Sequence, residues 1–542
     1  METSPNASTT TQVAKSAGSV GIAVFFSRIL GLIREQVMAV LFGAGFYMDA
    51  FVVAFRIPNL LRDLFAEGAL SAAFVTVFTD YDQKKGQEAA WRLANNVLLT
   101  LTILLSVITL VGIIFSEEIV GLMASDFSKV PGKIALTQLL TNIMFPFLIL
   151  VSLAAAVMGI LNTKGRFFIP AMASTFFNLG SIAGGVLCAW WAPSFGQPPI
   201  VGMAIGTLIG GILQLAIQLP SLKRSGFAWR PHLNLHDEGL RRIMILMIPA
   251  VIGLSATQIN IFINTNFAAR CAEGSVSWLN YAFRLMQFPI GIFGVAISVA
   301  TLPVISRHAS RGEMGALKAT YVSSLTMAFL LTIPAAFGLA VLAKPIIRLI
   351  FEHGRFHAQD TLYTAEALVY YSVGLFAYST VKITVPVFYA LRDTKYPVIA
   401  SFLAVAINVL IVSLTLNAFQ HKAIALSTSI TMIVNFCFLS AVLYRKVGGY
   451  DLRYLIGAFI KITLASAAMG LLAYCLYRAA SLILDQRLLL NQMLALLLVM
   501  ALAVLFYFAL IRWLGIKEYH EVVESLKKRF LGRNGGPAAL SD

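Results

Sequence analysis

Long apolar runs separated by short polar breaks make up most of this 542-residue chain. A helix needs about 20 mostly apolar residues to cross a bilayer core. Runs of that kind fall at about 17–43, 48–79, 93–115, 134–161, 167–192, 199–220, 243–269, 277–305, 316–342, 361–391, 396–418, 421–444, 454–479 and 490–514. They are continuous and do not alternate polar with apolar, which argues against a closed β-barrel. The pattern predicts an all-α polytopic membrane protein with about fourteen transmembrane helices. The polar stretch Met1–Lys15 has no apolar core ending in a small-residue cleavage site, so the first run is expected to stay in the mature chain.

Composition narrows the class. Hydrophobic residues are 58% of the chain and charged residues 12%, against about 25% charged in a soluble domain. That excludes a soluble enzyme and a disordered chain. The formal charge of +16 does not point to nucleic acid, because the basic residues punctuate apolar runs instead of forming a dense patch. Cys188, Cys271, Cys437 and Cys475 are scattered without a CxxC, so neither a disulfide framework nor a zinc site is indicated.

The basic residues mainly report orientation. With a cytoplasmic N-terminus, the even-numbered connections and both tails hold 25 of the 41 Lys and Arg. The opposite side holds nine, among them Lys129, Lys133 and Arg270. This bias predicts cytoplasmic termini. Seven remain inside the spans: Arg28, Arg34, Arg56, Arg62, Arg284, Lys382 and Lys461. Five arginines facing lipid would cost on the order of 10 kcal/mol or more, so they must snorkel, pair or line a wet cavity. Lys461, near a helix end, suits snorkelling, whereas Lys382 lies deeper.

The first two spans concentrate the charge, setting Arg28, Arg34, Arg56 and Arg62 beside Glu35, Asp49, Asp63 and Glu67. A structural ion-pair network and a water-filled cavity wall both fit that balance. Ser27, Arg28, Gly31, Arg34 and Glu35 share one helical stripe, as do Arg56, Asn59, Asp63 and Glu67 with Arg62 on its flank. Pro58 is expected to break or kink the second helix, and a charged stripe beside a kink favours the cavity. His232/His236 and His353/His357 have metal-ligand spacing but lie in polar loops without an HExxH signature, which favours solvated side chains. Gly202, Gly206 and Gly210 predict close packing of the sixth span on a neighbour.

An internal repeat organises the chain. Ala54-Phe55-Arg56 recurs as Ala282-Phe283-Arg284, Phe65 matches Phe293, and Pro170–Ser174 echoes Pro397–Ser401, at offsets of 227–228. Six spans separate the copies, so both keep the same membrane orientation. The expected layout is a polar tail (1–16), an N-lobe of six helices (17–220), a cytoplasmic linker (221–242) and a C-lobe of six (243–444). Two further helices (445–515) and a cytoplasmic tail (516–542) complete it, the tail being dispensable beyond about Lys517. Parallel repeats of this kind are transporter architecture with the site between halves, which would set Arg56 and Arg284 across a central cleft.

The stretches Phe26–Glu35, Phe42-Gly43-Ala44-Gly45, Asp49-Ala50-Phe51, Pro58–Arg62 and Phe65–Ala69 resemble the MurJ (MviN-type) lipid II flippases. So do Gly274–Trp278, Tyr281-Ala282, Arg284–Met286 and Phe288-Pro289, which match that family's eighth helix. The resemblance spans about residues 17–515. It implies the multidrug/oligosaccharidyl-lipid/polysaccharide exporter superfamily, with two pseudo-symmetric six-helix lobes and two helices flanking a groove for a lipid tail.

By motif, the resemblance assigns substrate binding to Arg28, Arg34, Arg62 and Arg284, with Asp49 as an essential aspartate. Glu35, Arg56, Asn59, Asp63, Glu67, Ser275 and Ser277 are further candidates for the cavity or its gating. The implied cargo is undecaprenyl-diphosphate bearing the peptidoglycan disaccharide-pentapeptide, carried across the bacterial cytoplasmic membrane by alternating access. Arginine forks match diphosphate oxygens. The implied partners are lipid II, membrane lipids and the cell-wall polymerases, the chain acting as a monomer.

Two positions depart from the family. Phe283 and Gln287 stand where many relatives carry acidic residues, leaving Arg284 without that neighbour. Segments 243–265, 396–417 and 423–443 contain no Asp or Glu, which argues against a sodium site. No cofactor is expected, and membrane potential would bias the cycle. The rival readings are a small-drug exporter of the same superfamily and a membrane enzyme acting on polyprenyl diphosphates. An excess of cavity carboxylates would favour the first, and a nucleophile–base pair the second.

Overall fold

The computed structural model describes residues 5–64, 69–485, 488–521 and 523–524, and every regular element among them is helical. Two compact units divide the chain: Met1–Ser277 with His353–His357, and Trp278–Glu352 with Ala358–Asp542. Among the described residues, eleven helices are long and apolar enough to cross a membrane. The count is twelve when the bent pair Ala358–Val373 and Leu375–Ala390 forms one span. The protein is therefore a multi-pass membrane protein, with up to twelve of the expected fourteen spans found among the described residues.

The first two expected spans account for the difference. They fall on α1 (Pro5–Phe42) and on a pair of shorter helices, α2 (Phe46–Arg62) and α3 (Ala69–Lys84). Residues 65–68, between α2 and α3, lie outside the described residues. Pro58 does not end α2. Helical geometry runs through it to Arg62 and turns π-like at Asp63–Leu64, about one turn later.

The first unit continues with α4 (Gln87–Ile114), α5 (Ser116–Met123), α6 (Lys133–Met144), α7 (Phe147–Thr163), α8 (Phe168–Trp191), α9 (Ile200–Ala216), α10 (Leu219–Arg224) and α11 (Glu238–Ala269). Its tightest contact joins α8 to α9 at the predicted glycines. A Cβ would lie 2.0 Å from Ala189 N at Gly202, 2.4 Å from Gly185 Cα at Gly206 and 2.5 Å from the Phe177 carbonyl oxygen at Gly210. Only a residue without a side chain lets the backbones meet there. Phe74, Phe78, Leu93 and Val97 pack with Leu240 and Ile243 at the other side of this unit.

Residues 353–357 also belong to the first unit, where Arg355 N donates to the Val40 carbonyl at 3.0 Å. Gly43 (φ 67°) and Gly354 (φ 62°) make this approach possible. A Cβ on either would fall within 2.4 Å of the opposing carbonyl oxygen, and the left-handed φ favours glycine in any case.

The second unit holds α12 (Ser275–Pro289, whose first three residues group with the first unit), a π-helical turn at Ile290–Gly294, α13 (Val295–Arg311), α14 (Met314–Val341) and α15 (Ala343–Phe351). It continues with α16 (Ala358–Val373), α17 (Leu375–Ala390), α18 (Lys395–Phe419), α19 (His421–Lys446), α20 (Leu452–Ile483) and α21 (Leu489–Leu514). Tyr321, Phe329, Phe388, Ile462 and Tyr507 are central to its core.

Lys461 does more than reach for water, since its Nζ donates to the Leu514 carbonyl at 3.1 Å. A cation there complements the C-terminal end of α21. Just beyond, Tyr454 Oη donates to Glu518 Oε2 at 2.5 Å, and Glu518 is buried. The chain past Lys517 is thus packed at its start.

Helix boundaries repeat along the chain with the period read from the sequence motifs. The ends of α4 and α14, the starts of α5 and α15, and the starts of α8 and α18 are each 227 residues apart, and the starts of α7 and α17 are 228 apart. The π-like turns at Asp63–Leu64 and Ile290–Gly294 follow α2 and α12, its counterpart.

Candidate functional site

The charges of α1 and α2 are held in local pairs. Arg34 Nη2 lies 2.9 Å from Glu35 Oε1, with the two side chains only 14% and 7% exposed. The same guanidinium stands 5.4 Å from the centre of the Phe177 ring on α8, an orientation that favours a cation. Arg28 is half-buried one and a half turns earlier on α1. Nearby, Asn178 Nδ2 donates to the Ser27 carbonyl at 3.1 Å and faces Gly31, so α8 packs along this polar stripe.

On α2, Arg62 Nε and Nη2 both donate to Asp63 Oδ1, at 3.1 and 2.8 Å. Asp63 also accepts from Gln258 Nε2 on α11 at 3.4 Å. Arg56 Nη1 donates to Thr265 Oγ1, again on α11, at 2.5 Å. Asn59 Oδ1 is buried with no hydrogen-bond donor. Both guanidinium–carboxylate pairs are partly buried, and a phosphate oxygen is the kind of acceptor that can replace or join a carboxylate there.

Asp49 is a different kind of group. It is 1% exposed and accepts from Gly274 N at 2.9 Å, Ser277 N at 3.0 Å and Ser277 Oγ at 2.6 Å. Lys133 Nζ, equally buried, lies 3.0 Å away. The carboxylate thus caps the N-terminus of α12, where unsatisfied N–H groups favour an anion. Ser275 Oγ beside it is buried and has no hydrogen-bond partner among the described residues. Next to this cluster is a cavity of about 210 Å³ bordered by Asp126, Lys129, Arg270, Cys271 and Glu273. Burial pushes the Cys271 thiol up to about 12.

The structure therefore brings Asp49 together with Ser277, and Asp63 with Arg62. Arg284 on α12 is half-buried and engaged by neighbours. Phe283 is 5.4 Å from the Tyr371 ring and 6.3 Å from Tyr378. An ionised carboxylate would have to be desolvated among those rings. Glu67 lies outside the described residues.

Sequence reasoning missed three participants. Lys133 counted as a connection residue, yet it is the buried counter-ion of Asp49 at the start of α6. Gln258 and Thr265 are uncharged and lie in a span without carboxylates. Their seven-residue spacing, two turns on one face of α11, was the available signal. His232 and His236 are exposed in the segment before α11, and no group of three or more metal-binding side chains occurs among the described residues.

Similarity to known proteins shows the family of the chain. The family described as "Lipid II flippase MurJ" matches residues 38–499. A protein of Buchnera aphidicola subsp. Acyrthosiphon pisum named "Probable lipid II flippase MurJ" is 37% identical over 428 residues, covering 79% of this chain and 83% of the relative. A solved structure described as "Lipid II flippase MurJ, inward closed conformation" superposes with a TM-score of 0.75 at 28% identity, covering 91% of this chain and 99% of the other. An inward-facing multidrug resistance MATE family transporter superposes at 0.68 with 14% identity, covering 78% and 94%, which establishes a shared fold only. With most of its length matched in sequence and nearly all of it in structure, the chain belongs to the MurJ lipid II flippase family.

Proposed function

We propose that this chain moves lipid II, the undecaprenyl-diphosphate-linked disaccharide-pentapeptide, from the cytoplasmic to the periplasmic leaflet of the bacterial inner membrane by alternating access. The observation that carries the reading is the set of partly buried arginines, paired to carboxylates on apolar helices. Arg34 and Arg62 hold Glu35 and Asp63 at 2.9 and 2.8 Å. A diphosphate presents more negative charge than either carboxylate and can take over those donors as the head group enters. Arg28 and Arg284 complete the proposed binding set. Asp49, fully engaged and buried, acts as a positioning residue that fixes the start of α12 and hence the approach to Arg284.

The orientation with both termini cytoplasmic follows from the basic-residue bias. The membrane potential, worth about 2.3 kcal/mol per charge per 100 mV, is the proposed bias on the cycle. The protein would act as a monomer beside the cell-wall polymerases, without a cofactor.

Reconstituted vesicles carrying labelled lipid II test the assignment. Unchanged lipid should relocate between leaflets, and Arg284→Ala should abolish relocation while the protein still inserts. Chemical conversion of the lipid would favour a membrane enzyme. Normal relocation by Arg284→Ala would overturn the arginine set.

A further inference from the structure

The segment between α10 and α11 is held in a fixed path by two adjacent asparagines of α4. Asn95 Nδ2 donates to the Ala228 carbonyl at 3.1 Å, and Asn95 Oδ1 accepts from Arg230 N at 2.9 Å. Asn96 closes the same pair of bonds with Asn234, its Nδ2 donating to the carbonyl at 2.8 Å and its Oδ1 accepting from the N–H at 2.9 Å. Trp91 and Phe227 stack edge to face beneath, with ring centres 5.6 Å apart. This stretch is therefore not a loose tether.

The clamp turns backbone inward and leaves large apolar side chains outward. Trp229 is 54% exposed, Leu233 49% and Leu235 63%. Exposed basic residues, Lys223, Arg224, Arg230 and Arg241, flank them. The neighbouring carboxylates are otherwise engaged, Glu238 with Lys85 and Asp80 with Arg242, while Asp237 caps α11. Because α3, α7 and α9 end and α4 and α11 begin around this segment, it lies at the height where membrane helices meet the interface. Aromatic and aliphatic side chains ringed by cations at that height suit an anionic lipid surface.

We propose that residues 223–241 form an interfacial anchor. Trp229, Leu233 and Leu235 enter the acyl boundary, and Arg224 and Arg230 bind anionic headgroups of the adjoining leaflet. The geometry is independent of which side that leaflet is, and the anchor stands apart from the arginines of the transport reading. It would keep the entry to α11 at a set depth.

The full chain is reconstituted in pure phosphatidylcholine and in an equal mixture with phosphatidylglycerol, each with brominated acyl chains. Subtracting the emission of Trp229→Phe isolates Trp229, and the exposed position keeps that variant folded. In the mixed vesicles Trp229 should be quenched by the brominated chains and shielded from acrylamide. Arg224→Gln with Arg230→Gln should shift the docked-to-undocked ratio by roughly thirtyfold, towards that in phosphatidylcholine alone. A Trp229 that stays open to acrylamide and unquenched by lipid overturns the anchor and leaves the surface to water or a protein partner. Equal quenching in both vesicles overturns the recognition of anionic headgroups.

Discussion

Asp49 and Ser277 stand 228 residues apart, the period of the internal repeat, and Ser277 Oγ donates to Asp49 Oδ1 at 2.6 Å. Equivalent positions of the two copies thus meet at the starts of α2 and α12. Only one of them is ionised, so the junction needs a counter-ion, and Lys133 supplies it from α6 at 3.0 Å.

Replacing Asp49 by Asn leaves the buried Lys133 only the longer contact to the half-exposed Glu273, at 3.9 Å. The expected loss of stability is about 3–5 kcal/mol, the usual consequence of breaking a buried pair. Combining Asp49→Asn with Lys133→Met should recover most of it without restoring transport, as read from melting in detergent and from lipid relocation. A single variant as stable as the parent would show that the pair carries no weight.

Gly206 and Gly457 offer a matched pair. Both are helical, but a Cβ at Gly206 would sit 2.4 Å from Gly185 Cα, whereas at Gly457 it would meet nothing within 4 Å. Gly206→Ala should force α8 and α9 apart and lower stability by about 1–3 kcal/mol. Gly457→Ala should be neutral or stabilising by up to about 1 kcal/mol. Equal melting temperatures for the two variants would contradict the packing argument.

The Cys271 thiol, raised to about 12 by burial, is almost entirely protonated at neutral pH. Its reaction with a water-soluble maleimide should be on the order of a thousandfold slower than that of an ordinary exposed thiol. The rate should keep climbing with pH towards 12 instead of levelling off near 8.5. A variant retaining only this cysteine allows the measurement, and a plateau below pH 9 would contradict it.

Truncation should be tolerated only outside the packed tail. A chain ending after Glu524 keeps Glu518 against Tyr454, while one ending at Lys517 leaves a phenol that has lost its acceptor. The shorter chain should lose about 1–3 kcal/mol. Melting of the two truncations side by side decides the point.

What the sequence made legible was periodic or local. The glycine triplet at 202, 206 and 210 announced a close helix contact because small residues four apart have one plain use on an apolar helix. The repeat was readable from three short motifs, and helix boundaries follow the same spacing. Arg34–Glu35 and Arg62–Asp63 were adjacent in the chain, so their pairing needed no tertiary information.

The rest depended on long-range pairing. Lys133 and Asp49 are 84 residues apart, and nothing near Lys133 distinguishes it from an ordinary loop lysine. Asn95 and Asn96 meet partners more than 130 residues away. Their only sequence signal is a pair of amides at the mouth of an apolar run. The second expected span is described as α2 and α3, on either side of residues 65–68, which lie outside the described residues.

The α8–α9 contact also constrains motion. Backbones touching at three successive turns leave no layer of side chains to shear, so neither helix can slide or roll against the other without a clash. Through any transport cycle the two should travel as one rod. Spin labels placed on their exposed flanks should then keep a constant separation whether the protein faces inward or outward, making the pair a fixed ruler against which the moving helices can be measured.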